Sequence, residues 1–474
     1  MRSLRALVRP PASPVPDASP QPQQRSIRWH YLALFALAAA AIVVLAYEAP
    51  LTYDEAYNRL VYGNLGVTKI LETYNAPNNH LPFTVLQSWI PNRLLRWDPW
   101  TIRIVGVAFG IAMVAELIGV AAARRSTPLL GLFIVAGSPI LVTYLFVARG
   151  YTFSAVLFGV AAALPVLLAR RDPVLGACLG GAVLAFATWP VPTNGFIAPG
   201  WIVAVLAIWG FRAAIVGTAV YATALTIMFA PVASQVRAQS KVHWNTPQRW
   251  WTWVGDLLAA SSLLSVCLIF VGVLAIAAFV LQHRARPAAG FHALGASAQL
   301  AVIAFAMSGS WFVLIGAGHV FGLELPFVRS AVPALWVGVL AVVAGFPKGR
   351  LEVVAVALLV PGLILGGLMW TRAISDGDWA RVSQTSRNDV LDGTTPATIR
   401  NLSSIHADRL VCSGYDSYVC DLVAPSLVSS GVTSVGVANE PVSTMGCAIG
   451  SHKPAQPFQV LVYRQSKQLG VLCH

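Results

Sequence analysis

Two adjacent carboxylates, Asp54 and Glu55, are the residues of this sequence best suited to chemistry. They follow the first long apolar stretch by a few residues, within the segment Leu51–Tyr57. Ionised side chains so close to a membrane boundary are costly unless they face water, a metal or a substrate. A carboxylate in that position can accept a proton from a hydroxyl group. The pair therefore predicts a reaction centre at the outer surface of a lipid bilayer.

A structural role is the alternative for Glu55. Thr52 and Glu55 have the Thr-x-x-Glu spacing of a capping box, in which the Glu55 side chain bonds back to the backbone of Thr52. Capping would account for Glu55 and leave Asp54 to point elsewhere. Both interpretations of Glu55 stay open, and Asp54 is the predicted base.

A polar, Pro-rich stretch later in the same loop contains Asn79 and His80. His80 could bind a metal, donate to a phosphate or order the loop, and Asn79 belongs with it as a candidate substrate contact.

Lys241 lies in a second loop, among further basic residues that form a basic surface able to attract a phosphate.

Two arginines begin apolar runs on the side where basic residues are not needed for topology. Arg149 stands beside Tyr151 at the junction of two runs, and Arg329 begins a late run. The planar guanidinium group matches the geometry of phosphate and carboxylate. We therefore expect an anionic partner for Arg149. For Arg329 an anionic partner and extension of the side chain to the lipid head groups are both open.

The composition places these groups in a membrane protein. The 474 residues are 57% hydrophobic and 11% charged, whereas soluble domains carry roughly 25% charged residues. The apolar runs are long and unbroken, which favours helices over membrane β-strands. The net charge of +13 does not indicate nucleic-acid binding, because much of the arginine excess lies at the ends of apolar runs and sets membrane topology.

Eleven apolar runs have about the length that crosses a bilayer. Basic clusters fall at alternate turns, so the positive-inside rule predicts a multi-pass plasma-membrane protein with a cytoplasmic N-terminus, an extracytoplasmic C-terminus and outer loops near 50–100 and 234–256. The predicted spans are 30–49, 101–122, 128–147, 152–169, 173–190, 194–211, 213–233, 257–281, 291–315, 329–346 and 351–371.

Three domains are predicted. Residues 1–28 form a disordered cytoplasmic tail, 29–372 an all-α transmembrane domain, and 373–474 a small extracytoplasmic α+β domain. Short strands are expected at Phe458–Tyr463 and Leu469–Cys473. Four cysteines outside the membrane predict up to two disulfides of undetermined connectivity; they are Cys412, Cys420, Cys447 and Cys473.

The order of these motifs resembles the membrane glycosyltransferases of the GT-C class, particularly the dolichyl-phosphate-mannose protein mannosyltransferase and aminoarabinose transferase superfamily. The resemblance covers roughly residues 30–370. The family's loop often reads His-Pro, whereas Leu81 separates His80 from Pro82 here. The matching pieces are Asp54-Glu55, Asn79-His80-Leu81-Pro82, Arg149-Gly150-Tyr151 and Pro326-Phe327-Val328-Arg329.

The resemblance implies transfer of a sugar, with inversion, from a polyprenyl monophosphate donor to a hydroxyl of a glycan, lipid or protein acceptor at the outer membrane face. It implies Asp54 as the base or acceptor-orienting group, and Arg149 and Arg329 as phosphate ligands. Tyr151 and Lys241 would assist at the phosphate. Some relatives use a divalent metal, for which Glu55 and His80 are the candidates here.

Two other function classes remain open. A transporter or flippase of lipid-linked sugars usually carries ionisable residues in the middle of its spans, and Glu116 is the clearest such residue. A non-catalytic membrane scaffold is the second alternative, because a fold does not determine a function.

Overall fold

The structure of the protein is a computed structural model. It describes residues 29–63, 65–74, 80–94, 99–239, 249–262, 272–273 and 294–376, with short strands beyond. The N-terminal tail and the predicted site residues Asn79 and Lys241 lie outside the described residues, as does Cys420.

Helices make up nearly all of the described chain before residue 377. Long apolar segments fold as helices because, in lipid, each backbone polar group must be bonded within its own segment. The α-helices are α1 Trp29–Glu48, α2 Tyr53–Tyr57, α3 Val67–Leu71, α4 Leu81–Leu94, α5 Ile104–Arg124, α6 Leu129–Ala136, α7 Pro139–Tyr144, α8 Gly150–Leu168, α9 Pro173–Thr188, α10 Ala198–Trp209, α11 Phe211–Phe229, α12 Ala233–Gln239, α13 Trp250–Ser261, α14 Ala296–Val320, α15 Val332–Gly345 and α16 Arg350–Asp376.

Eight helical segments of the described chain are long and apolar enough to cross a membrane. Each coincides with a predicted span, and the shorter apolar helix α9 lies at a ninth. The predicted span 257–281 lies mostly outside the described residues. The eight segments are Trp29–Glu48, Thr101–Arg124, Gly150–Leu168, Pro192–Trp209, Phe211–Gln239, Ala296–Val320, Val328–Gly345 and Arg350–Ser375.

The predicted span 128–147 is wrong as one continuous helix. It folds as two short helices, α6 and α7, with a break at Gly137 and Ser138. Pro139 opens α7 and forces the residue before it out of the helical region. Ser138 accordingly has extended backbone angles, φ −112° and ψ 100°.

A close backbone approach joins α5 to the segment that follows α7. A Cβ atom at Gly110 would lie 1.9 Å from the carbonyl oxygen of Leu145, so only glycine fits there. This approach lets residues 145–148 run along α5 towards its start. It thereby helps to position Arg149, which directly precedes α8.

The middle of the bundle contains a buried polar contact. Trp336 of α15 donates its indole N–H to Glu116 Oε2 of α5 at 3.0 Å. The carboxylate also packs against Gly159 of α8, where a Cβ would come within 2.6 Å of it. Glu116 therefore joins three packed helices.

The described residues also include seven short strands. β1 (Leu51–Thr52) pairs with β2 (Gly393–Thr394), just before α2. β3 (Arg409–Ser413), β4 (Ser434–Val437), β5 (Gly446–Gly450), β6 (Gln459–Val462) and β7 (Gly470–Cys473) form a mixed sheet in the order β4-β3-β5-β7-β6. The strands predicted at Phe458–Tyr463 and Leu469–Cys473 coincide with β6 and β7.

The described residues contain no disulfide, so the predicted disulfides are not supported. The β3–β5 register places Cys412 opposite Ile449 rather than opposite another cysteine. Cys447 and Cys473 are register partners in the antiparallel pair β5–β7, and Cys178 within α9 is a free thiol.

The contact at Gly110 predicts a position-specific loss of stability. Gly110→Ala should lower the free energy of unfolding by about 1–3 kcal/mol, the usual cost of overpacking, because the obstructing atom belongs to the backbone. Gly119→Ala is the matched control on the same helix, since nothing lies within 4 Å of its Cβ position. Thermal unfolding in detergent measures both, and equal melting temperatures would contradict the close approach.

Candidate active site

The site begins at α2, whose start is fixed by its own side chains. The Thr52 hydroxyl accepts the backbone N–H of Glu55 at 3.2 Å, and Glu55 Oε2 accepts the backbone N–H of Thr52 at 3.1 Å. This is the predicted capping box, and it is confirmed. It determines which way each of the two adjacent carboxylates points.

Glu55 is completely buried against a guanidinium group. Arg103 contacts it in a bidentate arrangement, with Nε 2.8 Å from Oε1 and Nη2 2.6 Å from Oε2. The backbone N–H of Ala148 also donates to Oε1, at 2.9 Å. Both carboxylate oxygens are thus occupied by protein donors.

Arg103 is itself saturated. Its remaining N–H groups donate to the carbonyls of Ala46, Ala49 and Pro50, at 2.9, 2.9 and 2.5 Å, and only 1% of the side chain is exposed. Sequence reasoning missed this pair. The signal was present, because Arg103 begins an apolar run on the same predicted side as Arg149, where an arginine needs an anionic partner.

Asp54 contacts both predicted phosphate ligands. Its Oδ2 lies 2.9 Å from Arg149 Nη1 and 3.4 Å from Arg329 Nη1. Asp54 and Arg329 are 15% and 14% exposed, whereas Arg149 is almost fully buried. The structure therefore brings together three residues that are far apart in the sequence, at one end of the helical bundle.

Arg149 and Tyr151 are held at the start of α8. The Arg149 guanidinium carbon lies 5.9 Å from the centroid of the Tyr151 ring. That ring packs edge-to-face against Tyr144 and His80, with centroid distances of 5.1 Å in each case. Tyr151 thus supports one guanidinium and orders the aromatic groups around it.

Arg329 is positioned by a short 3₁₀-helix, Val328–Ala331, and by the segment before it. Trp253 of α13 donates its indole N–H to the carbonyl of Pro326 at 2.7 Å. The guanidinium lies 4.3 Å from the ring centroid of Phe327. Trp253 is therefore buried and structural, whereas Trp251 of the same helix is exposed.

His80 is buried beside these cations. Its carbonyl accepts the backbone N–H groups of Phe83 and Thr84 at the start of α4. Burial lowers the pKa of the imidazole well below 6.5, and the charges of Arg149 and Arg329 lower it further; the backbone of Pro190 acts weakly in the opposite direction. His80 is therefore neutral at physiological pH.

A polar network behind Asp54 also escaped sequence reasoning. Asn58 lies on a π-helix, Asn58–Tyr62, that directly continues α2, and such turns often occur at functional sites. It donates to Gln87 Oε1 at 3.2 Å and accepts from the Thr84 hydroxyl at 3.3 Å. The network fastens α2 to α4, which begins beside His80.

The proposed metal ligands do not fit a metal site in the described part of the chain. No group of three or more His, Cys, Asp or Glu side chains occurs there. Glu55 is occupied by Arg103 and Ala148, and a bound cation would have to compete with that guanidinium. Glu55 and His80 therefore do not fit a metal site.

The Glu55 pair predicts a large loss of stability when one partner is removed. Glu55→Gln should lower the free energy of unfolding by about 3–5 kcal/mol, because it leaves the buried Arg103 charge uncompensated. Glu72→Gln, at an exposed position, is the control and should have little effect. Thermal unfolding in detergent measures both, and equal stabilities would exclude the buried pair as the anchor of α2.

Burial of neutral His80 predicts an acid sensitivity. Below about pH 6.5 the unfolded chain gains a proton that the folded chain does not bind, so stability should fall by up to about 1.4 kcal/mol per pH unit. His80→Gln should make the melting temperature depend less on pH between pH 7.5 and 5. An unchanged slope in His80→Gln would contradict a neutral buried imidazole.

Comparison with protein-family models finds no match. Comparison with curated proteins also finds none. Several solved structures match the fold, among them two structures of one protein. The chain is similar to ArnT from Cupriavidus metallidurans in the apo state, with a TM-score of 0.51, and to the same protein bound to undecaprenyl phosphate, with a TM-score of 0.52. In both cases the identity is 13% and the match covers 94% of this chain and 98% of the other. The predicted GT-C-like helical fold is therefore confirmed.

Proposed function

We propose that this protein is a membrane glycosyltransferase that moves a sugar from a polyprenyl monophosphate donor to an acceptor hydroxyl at the extracytoplasmic face. One observation carries the proposal: a single carboxylate, Asp54, contacts two guanidinium groups at one end of a bundle with the fold of ArnT. A related fold has been solved with undecaprenyl phosphate bound, which supports a lipid phosphate as the anionic ligand here.

The charges of the site favour a phosphodiester. Arg149, Arg329 and Asp54 together carry one net positive charge, and the donor phosphodiester carries one negative charge. The phosphate can replace Asp54 as the counter-ion of the arginines, because guanidinium groups bind phosphate and carboxylate in the same way. This exchange releases the carboxylate at the moment the donor is in place.

The released Asp54 then acts as the base. It takes the proton of the acceptor hydroxyl as that oxygen attacks the anomeric carbon, and the bond from that carbon to the phosphate oxygen breaks. The leaving polyprenyl phosphate gains negative charge, which Arg149 and Arg329 stabilise. A single displacement of this kind inverts the anomeric centre. Glu55 and Arg103 act as positioning residues, since they hold the start of α2.

We assign part of the prenyl chain to an apolar cavity of about 220 Å³. It lies among α6, α13 and α16, and its lining includes Phe133, Pro139, Leu359, Leu365 and Met369. An isoprenoid chain gains free energy from such a surface through burial of apolar area. The phosphate would remain with the arginines while part of the chain follows this cavity.

A transport function has less support from the geometry. Glu116, the mid-span carboxylate that favoured it, accepts the indole N–H of Trp336 and packs on Gly159. These contacts account for Glu116 as a joint between helices.

The experiment compares turnover of polyprenyl-phosphate sugars by wild type and Asp54→Asn in membranes. Loss of the base should reduce polyprenyl phosphate release by about 100-fold or more, while undecaprenyl phosphate still binds through the arginines. Glu72→Gln is the matched control and should keep wild-type turnover. Equal turnover of wild type and Asp54→Asn would remove Asp54 from the chemistry. Absence of turnover with every donor would count against the enzyme itself.

A further inference from the structure

A second group of polar side chains lies beside the proposed phosphate site and has no role in the chemistry so far. It comprises His80 and three residues of the segment between α9 and α10, namely Trp189, Thr193 and Asn194. Asn194 and His80 are almost fully buried, at 0% and 1% exposure. Trp189, Thr193 and Asn194 have buried polar side-chain atoms that complete no hydrogen bond with any described residue, and the His80 imidazole contacts the backbone of Pro190.

The two parts of this group meet at Gly150. A Cβ atom there would lie 2.8 Å from His80 Cβ and 3.0 Å from Pro190 Cβ, so the His80 ring and the 189–194 segment approach each other directly. The following 3₁₀-helix, Pro192–Ile197, contacts α15. That helix begins three residues after Arg329, so the polar group adjoins the arginine side of the site.

Hydrogen bonds hold the backbone of the segment, although polar side-chain atoms in it have no hydrogen-bond partner among the described residues. Ser310 of α14 donates its hydroxyl to the carbonyls of Phe196 and Ile197, at 2.9 and 3.2 Å. The backbone N–H of Asn194 donates to the Val191 carbonyl at 2.9 Å. Unsatisfied buried polar groups on such a rigid support require an explanation.

The chemistry of the four groups selects the ligand. The Trp189 indole only donates, whereas the Asn194 amide, the Thr193 hydroxyl and a neutral imidazole each donate and accept. A phosphate or carboxylate accepts only, so it would leave the Asn194 oxygen unsatisfied. An ammonium group donates only, and it would be repelled by the two neighbouring guanidinium groups. Hydroxyl groups satisfy both kinds of atom.

We infer that His80, Trp189, Thr193 and Asn194 form the subsite that recognises the sugar of the donor, and that this sugar is neutral and hydroxyl-rich. The inference rests on the proposed function, because that function places the donor phosphate at Arg149 and Arg329. The subsite differs from the phosphate site in its charge. It holds the sugar with neutral side chains, whereas the phosphate site uses two guanidinium groups. Internal water is the alternative occupant, since water also donates and accepts.

The test measures the affinities of purified protein for two probes, undecaprenyl phosphate and undecaprenyl-phosphate glucose. Asn194→Leu should weaken binding of the glucose lipid by about 10-fold, the usual effect of lost hydrogen bonds in a closed site, and change binding of undecaprenyl phosphate less than about 2-fold. Thr193→Val is a second variant of nearly the same shape and should act in the same direction. Wild type should also prefer the glucose lipid over the same lipid carrying glucosamine.

Stability separates a ligand site from ordinary core packing. Without ligand, Asn194→Leu should melt at the wild-type temperature or above, because it replaces unsatisfied polar atoms with an apolar group of similar size. Asn58→Leu is the control and should melt lower, since Asn58 loses its bonds to Gln87 and Thr84. A lower melting temperature for Asn194→Leu would overturn the view that its amide is unsatisfied.

The outcomes distinguish this inference from the proposed function. If both variants bind the glucose lipid as tightly as wild type does, water fills the site and the sugar subsite is refuted. An equal loss for both lipids would also refute it, because the residues would then act on the phosphate. If wild-type protein binds neither lipid, the proposed function fails and the subsite fails with it.

Discussion

The buried ion pair between Glu55 and Arg103 is the contact on which the site depends. Removing two charges from water is expensive, and the cost is recovered only when the geometry is good and further hydrogen bonds satisfy both groups. Here the pair is bidentate, and the remaining Arg103 donors reach three carbonyls at the end of the first span. The pair therefore joins α1, α2 and α5 and gives the start of α2 one orientation.

This anchor separates the roles of two neighbouring carboxylates. Successive residues of a helix project about 100° apart, so a buried Glu55 directs Asp54 to a different side. There Asp54 contacts Arg149 and Arg329. The Asp54 carboxylate thus occupies the anion-binding position between the two arginines. In the proposed mechanism, a lipid phosphate displaces that carboxylate and thereby creates the base.

The site has two regions, one in which the buried polar groups have hydrogen-bond partners and one in which they lack them among the described residues. Around Glu55, each buried oxygen has a donor, as expected for a structural element. At Trp189, Thr193 and Asn194 the buried polar atoms complete no bonds with the described residues. The same low dielectric that strengthens the first set makes the second set costly to leave empty. A bound sugar would remove that cost, which links substrate recognition to the stability of this end of the bundle.

Part of this organisation follows from local sequence. The apolar runs indicated helical spans because their length matches a bilayer, and the capping box was visible in the spacing of Thr52 and Glu55. The span predicted at 128–147 failed at Pro139, since hydropathy does not register a break in the backbone. Arg103 was overlooked because its partner lies 48 positions away. Asn194 carried no signal at all, as a single asparagine near a proline-rich turn is typical of loops.

The sequence by itself determined a helical membrane protein. It also predicted one acidic and two basic site residues on the same side of the membrane, because hydropathy, charge bias and short motifs are local properties of the chain. Only the tertiary structure decided which of two adjacent carboxylates is structural. That choice depends on Arg103 and on the backbone N–H of Ala148, 48 and 93 positions away. Contacts over such separations arise when whole helices pack together. Close glycine contacts such as that of Gly110 permit this packing.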